Sequence, residues 1–87
     1  MADPIADAVG RFRAKLPARI DEIEAAWRAG RLAQAEAAAH KLAGAGATFG
    51  VPAASEIARR LEAAFAAGGT DPSIARDVAA LRDATEA

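Results

Sequence analysis

The chain has 87 residues, no cysteine and a net charge of −1, so we expect one domain over residues 1–87 without disulfides or a thiolate metal site. Its acidic and basic residues are interspersed, which argues against nucleic-acid and anionic-membrane surfaces because both need a basic patch. No apolar run approaches the roughly 20 residues that span a bilayer, and no signal-peptide pattern opens the chain, so we expect a cytoplasmic protein. We also expect it to be a monomer.

The residues favour an all-helical fold, since β-branched and aromatic residues are sparse and no stretch alternates between apolar and polar positions. A first helix is predicted after Asp3-Pro4, an acidic cap followed by proline at the first helical position. Because a proline inside a helix is costly, Pro17 is expected to open a second helix, which ends at Gly30. The predicted inward-facing residues of these two helices are Ile5, Val9, Phe12, Leu16, Ile20, Ile23 and Trp27.

Three further helices are predicted: from about Arg31 to Thr48, from Pro52 to the Gly68-Gly69 pair, and after Asp71-Pro72. Their predicted inward-facing residues are Leu32, Ala35, Ala39, Leu42, Gly46, Phe49, Ala54, Ile57, Ala58, Leu61, Phe65, Ile74, Val78 and Leu81. Short connections make sequential helices antiparallel neighbours. The predicted fold is therefore an antiparallel up-down-up-down four-helix bundle, with a short additional N-terminal helix that caps one end.

His40 is the only histidine, and Gly44 and Gly46 follow it on the same predicted helix. A glycine inside a helix costs roughly 1 kcal/mol relative to alanine, which suggests that these glycines leave space beside the imidazole. At about 100° per residue, His40 lies on the flank of its helix, where solvent can reach the ring. The small residues predicted to share the face of His40 include Ala33, Ala37, Gly44, Ala43 and Ala47.

The run from His40 to Gly50, continued through Leu61-Glu62, resembles the histidine-containing phosphotransfer (HPt) domain of bacterial phosphorelays. The resemblance implies that His40 accepts a phosphoryl group and that Glu62 hydrogen-bonds its ring. It implies two partners, the receiver domain of a response regulator and a hybrid histidine kinase. The family often has a lysine three residues after the histidine, and here that position is Ala43.

The chemistry of phosphohistidine independently calls for an acceptor beside His40. One ring nitrogen must be free to attack phosphorus, while the other donates to a group that orients the ring. If the helices on either side of Val51 are antiparallel, residues equally far from that turn face each other, which places His40 opposite Glu62.

The same pairing places Arg59 near Gly44 and Ser55 near Ala47. We expect Arg59 to favour the arriving phosphoryl group in place of the missing lysine. Lys41 lies about 100° around the helix from His40, so it is expected to contribute positive charge more than direct contact.

No ATP-binding motif and no carboxylate pair placed for magnesium is present, so we expect a phosphocarrier without its own ATP site, cofactor or metal. The glycines could also suggest a nucleotide-phosphate loop, but they follow a helix rather than a strand. The main alternative is a helical interaction module that docks a receiver or kinase without phosphotransfer. Its small-residue surface would be Ala33, Ala37, Ala43 and Ala47, which suits receiver docking equally well.

Overall fold

The structure, a computed structural model, describes residues 3–86 of the chain. Four α-helices occupy most of this range, and no strand occurs within it. The helices are α1 (Pro4–Arg28), α2 (Leu32–Thr48), α3 (Pro52–Ala66) and α4 (Ser73–Glu86). The prediction of an all-helical fold is confirmed.

The prediction of a separate N-terminal helix is wrong, because α1 continues through Pro17 for 25 residues. Proline in a helix interior removes one backbone hydrogen bond and costs about 3 kcal/mol. Leu16 and Ile20 flank this point and are fully buried, and burying each such side chain stabilises the fold by about 1.5–3 kcal/mol. The apolar stripe therefore runs uninterrupted across the proline, whose own ring is exposed.

Local signals mark the beginning of α1 and the ends of α1 and α2. The side chain of Asp3 accepts a hydrogen bond from the backbone N–H of Ile5 at 3.0 Å and caps α1. Gly30 and Gly50 follow α1 and α2 with φ of 74° and 76°, a left-handed conformation that glycine adopts without steric cost. The N–H groups of the residues that follow them, Arg31 and Val51, donate back into the preceding helix, which closes a Schellman motif at each end.

The core lies between the four helices. In space, α2 packs against α1 and α3, and α4 packs against the same two helices. The largest fully buried side chains are Phe65, Leu16, Ile20, Ile23, Leu42, Leu61, Ile74 and Leu81. All eight belong to the predicted stripes, whereas Ile5, which was also predicted to face inward, is 75% exposed near the beginning of α1. Trp27 and Phe49 are partly buried at the edge of the core.

The closest approach between α2 and the beginning of α3 occurs at Gly46. A Cβ atom on this residue would lie 3.1 Å from the backbone nitrogen of Ser55 and 3.2 Å from the carbonyl oxygen of Val51. Gly46 therefore allows α3 to pack closely against α2. The prediction that this glycine leaves space beside His40 is wrong. The Ser55 hydroxyl donates to the Ala43 carbonyl oxygen at 2.7 Å. That oxygen points along α2 toward the N–H of residue 47, and the Ser55 backbone packs against Gly46, so the position agrees with the predicted pairing near Ala47.

Candidate functional site

His40 and Glu62 form the centre of the candidate site. His40 projects from the middle of α2, and its Nδ1 lies 2.6 Å from Oε2 of Glu62 on α3. The side chain of His40 is 77% exposed, while that of Glu62 is 28% exposed. The predicted pairing of these two residues and the exposed position of the ring both agree with this geometry.

The partner fixes the tautomer of the ring. An ionised carboxylate has only acceptor atoms, so the hydrogen bond to Glu62 requires the proton to lie on Nδ1 of His40. In the neutral imidazole, Nε2 then carries the lone pair. The site therefore holds a nucleophilic nitrogen on an exposed ring whose orientation is set by a neighbouring helix.

The surface beside His40 is made of small residues. Gly44 lies one helical turn beyond the histidine and is exposed, and a Cβ atom built on it meets no atom within 4 Å. Ala37 and Ala47 are exposed as well. Ala43 is only 4% exposed, so the prediction that its side chain forms part of the contact surface is wrong. Ala43 belongs to the buried core, and its backbone carbonyl group accepts the Ser55 hydrogen bond.

Two exposed cations lie near the pair. Lys41 follows His40 directly on α2, and Arg59 lies one turn before Glu62 on α3. Neither forms a salt bridge with any carboxylate in the part of the chain that the structure describes. Both side chains are exposed, and Lys41 lies on the side of α2 that faces α1.

Ser55 has a positioning role that its sequence context did not reveal. Its buried hydroxyl group connects the first turn of α3 to the Ala43 carbonyl on α2. This bond and the close contact at Gly46 set how far α3 is shifted along α2, and hence where Glu62 meets His40. The available signal was a serine within the otherwise apolar stripe of α3, since a buried hydroxyl group needs a hydrogen-bond partner.

Within residues 3–86, no three His, Asp or Glu side chains cluster in a way that could hold a metal ion. None of the helices in this range combines the length and the apolar character that a membrane crossing requires.

Comparison with known proteins identifies the family. Neither the curated proteins nor the solved structures compared with this chain contain a significant match to it. The sequence model of the family described as "Hpt domain" matches residues 7–87. Because this match covers almost the whole chain, the protein belongs to the Hpt domain family, whose members are phosphotransfer modules of two-component phosphorelays.

Proposed function

We propose that this protein accepts a phosphoryl group on Nε2 of His40 and relays it between aspartates of receiver domains. The observation that carries the proposal is the 2.6 Å contact between Nδ1 of His40 and Glu62, on a ring that is 77% exposed. A hydrogen-bonded carboxylate orients the ring, and the exposure leaves the opposite nitrogen accessible to a bulky donor.

The transfer step is an in-line displacement at phosphorus. The Nε2 lone pair attacks the phosphoryl group of an aspartyl phosphate, an N–P bond forms, and the P–O bond to the aspartate breaks. The aspartate leaves as a carboxylate, and the ring becomes positively charged because Nδ1 keeps its proton. The negative charge of Glu62 stabilises this phosphoimidazolium, and reversal of the same step returns the phosphoryl group to an aspartate.

The surrounding residues have supporting roles in this proposal. Gly44 leaves open the space that the receiver must enter to reach Nε2. Arg59 and Lys41 attract the negatively charged phosphoryl group. These two cations replace the lysine that the family often has at the position of Ala43. Ala37 and Ala47 allow the partner to approach α2 closely.

The partners of this module are the receiver domain of a response regulator and a hybrid histidine kinase. The protein acts as a monomeric, cytoplasmic phosphocarrier without its own ATP site, and residues 1–87 form one domain. Its helices follow an antiparallel up-down-up-down order. Two contacts support this order for α2 and α3: Ala43 pairs with Ser55 and His40 with Glu62, so residue numbers rise along one helix as they fall along the other.

Incubation with radiolabelled, phosphorylated receiver domains tests the proposed function. The parental chain is expected to take up label that is stable in base and labile in acid, as phosphohistidine is. His40→Gln is expected to fold normally and take up none, because the chain has no other histidine. Label retained on that variant would refute the assignment, and binding of a receiver without any label on the parental chain would identify an interaction module instead.

A further inference from the structure

The positive charges of α1 are concentrated on the side that faces α2. Residues 8–20 contain four basic residues and no acidic one, so the expected interspersion of charges does not hold in this segment, although the whole chain carries a net charge of −1. Arg11, Lys15 and Arg19 are spaced four residues apart and therefore lie along one face of the helix. Arg13 lies on the opposite flank, about 120–160° away from Lys15 and Arg19.

A groove between α1 and α2 continues this basic face. Arg19 contributes to one wall, Arg31 and Lys41 contribute further positive charges, and Glu22 is the one acidic residue among its lining side chains. Alanines from both helices form most of the remaining surface, so the groove is broad and open to solvent. The groove is therefore a cationic surface with an apolar floor.

The cations of this groove differ from Arg28 on α1 and Arg82 on α4. Arg28 binds Glu24, and Arg82 binds both Asp21 and Glu24 at 2.8 Å, so acidic side chains compensate their charges.

By contrast, Arg19, Arg31 and Lys41 form no salt bridge with any carboxylate that the structure describes. The guanidinium group of Arg19 instead lies 5.9 Å from the ring centroid of Phe12. The positive charge on the α1–α2 side is thus left for an external anion.

The groove and His40 lie on either side of the outer face of α2. Lys41 lines the groove and directly follows His40, and Ala37, one turn before His40, lines it as well. The groove therefore begins next to His40 on α2, and at Ala37 no large side chain separates it from the imidazole. A protein that covers a standard area of about 800 Å² per partner can contact both at once.

We propose that this groove is the docking site for an acidic rim of the receiver domain that exchanges the phosphoryl group with His40. The inference rests on the proposed function and adds the residues that select the partner. A domain that carries phosphate on an aspartate needs further carboxylates to hold Mg²⁺, since this ion binds through one or two carboxylates together with phosphate oxygens. Such a surface is complementary to Arg19, Arg31 and Lys41, which steer it onto His40 and disfavour receivers that lack an acidic rim.

The test compares two double variants with equal changes of charge. Arg19→Glu with Arg31→Glu reverses the charge of two groove residues. Arg13→Glu with Arg76→Glu reverses the charge of two exposed residues elsewhere, on the other flank of α1 and on α4. The probes are the phosphorylated receiver domain that labels the parental chain fastest and, separately, phosphoramidate. Phosphoramidate is a small phosphoryl donor that reaches an imidazole without docking. Thermal midpoints establish that all proteins are folded.

We expect the groove variant to lose at least about tenfold in kcat/KM for transfer from the receiver at low salt, with most of the difference abolished at about 0.5 M salt. The control pair is expected to transfer within about twofold of the parental rate, and phosphoramidate is expected to label all three proteins equally.

Two results would overturn the inference: a groove variant as fast as the control pair, or an equal loss of rate in both. In either case, labelling of the parental chain by receivers would leave the proposed function intact. Failure of every receiver to label the parental chain would instead refute both the proposed function and the inference drawn from it.

Discussion

The carboxylate of Glu62 has two separable effects on His40: it orients the ring, and its negative charge stabilises the phosphorylated imidazolium. Glu62→Ala removes both effects, whereas Glu62→Gln keeps an acceptor oxygen without the charge. We expect Glu62→Ala to slow transfer by roughly 10- to 100-fold, the range known for groups that orient metal-bound histidines. Glu62→Gln is expected to fall between this variant and the parental chain.

Stability measurements separate this role from a structural one. The pair lies at the surface, so its loss should change the free energy of unfolding by no more than about 1 kcal/mol. Nitrogen-15 NMR of the ring should show the proton on Nδ1 in the parental chain and a mixture of tautomers in Glu62→Ala. Parental transfer rates in Glu62→Ala would contradict the positioning role.

Two glycines in α2, only two residues apart, are expected to respond in opposite ways to the same substitution. Gly44→Ala should stabilise the fold by up to about 1 kcal/mol, because its Cβ meets no atom within 4 Å and alanine is the better helix former. Gly46→Ala should destabilise it by about 1–3 kcal/mol, because its Cβ would press on backbone atoms of Val51 and Ser55. Thermal or urea unfolding measures both, and equal effects at the two positions would show that this packing difference is absent.

The larger substitution Gly44→Gln extends this prediction to function. It is expected to remain folded, since the position is exposed, and to lose most transfer from receivers because its side chain stands beside Nε2. A folded Gly44→Gln that transfers at the parental rate would contradict the role of this glycine in leaving space for the receiver.

At the scale of the helices, Pro17 is a local defect within α1 that the core tolerates. Pro17→Ala restores an N–H that can donate to the Arg13 carbonyl and removes the clash of the proline ring. The replacement also raises the conformational entropy of the unfolded chain, which offsets up to about 1 kcal/mol of the gain in the free energy of unfolding. We expect a net stabilisation of about 1–2 kcal/mol, measured by urea unfolding.

Pro52→Ala is the matched control for this prediction. Pro52 occupies the first turn of α3, where a missing N–H costs nothing because no intrahelical partner exists for it. It should therefore show no comparable gain. A Pro17→Ala variant no more stable than Pro52→Ala would mean that α1 requires the local geometry that proline imposes.

At the scale of the whole molecule, an ion-pair network connects α1 to α4. Hydrogen bonds from Arg82, and then from Arg28, hold the pKa of Glu24 below its ordinary range. A lowered pKa in the folded state means that Glu24 contributes stability fully above its unfolded pKa, and that this contribution is lost as the pH falls through the folded pKa.

We therefore expect Glu24→Gln to be less stable than the parental chain near pH 7 by up to about 1 kcal/mol, since the pair is only partly buried. The two thermal midpoints should converge as the pH falls through the folded-state pKa of Glu24, because the carboxylate is then protonated in both states. A difference in thermal midpoint that stays constant as the pH is lowered from 7 until the protein unfolds in acid would show that the charge of Glu24 does not contribute.

Much of this architecture follows from the sequence because the relevant signals act locally. Asp3 with Pro4 caps the beginning of α1, and Gly30 and Gly50 adopt the positive φ that ends α1 and α2. Such preferences depend on a few neighbouring residues, so they can be read without knowledge of the rest of the chain. A short connection also placed α3 beside α2, which was enough to predict that His40 meets Glu62.

Other features depended on contacts between residues far apart in the sequence, and only the tertiary structure decided them. Continuous burial of Leu16 and Ile20 overrode the local preference of Pro17 to begin a new helix. The approach of Ser55 to Gly46 determined which glycine packs and which remains open. Whether a carboxylate pairs with a given cation likewise depends on which helices the fold brings together. The unpaired positive charge of the α1–α2 groove could therefore be recognised only in the packed structure.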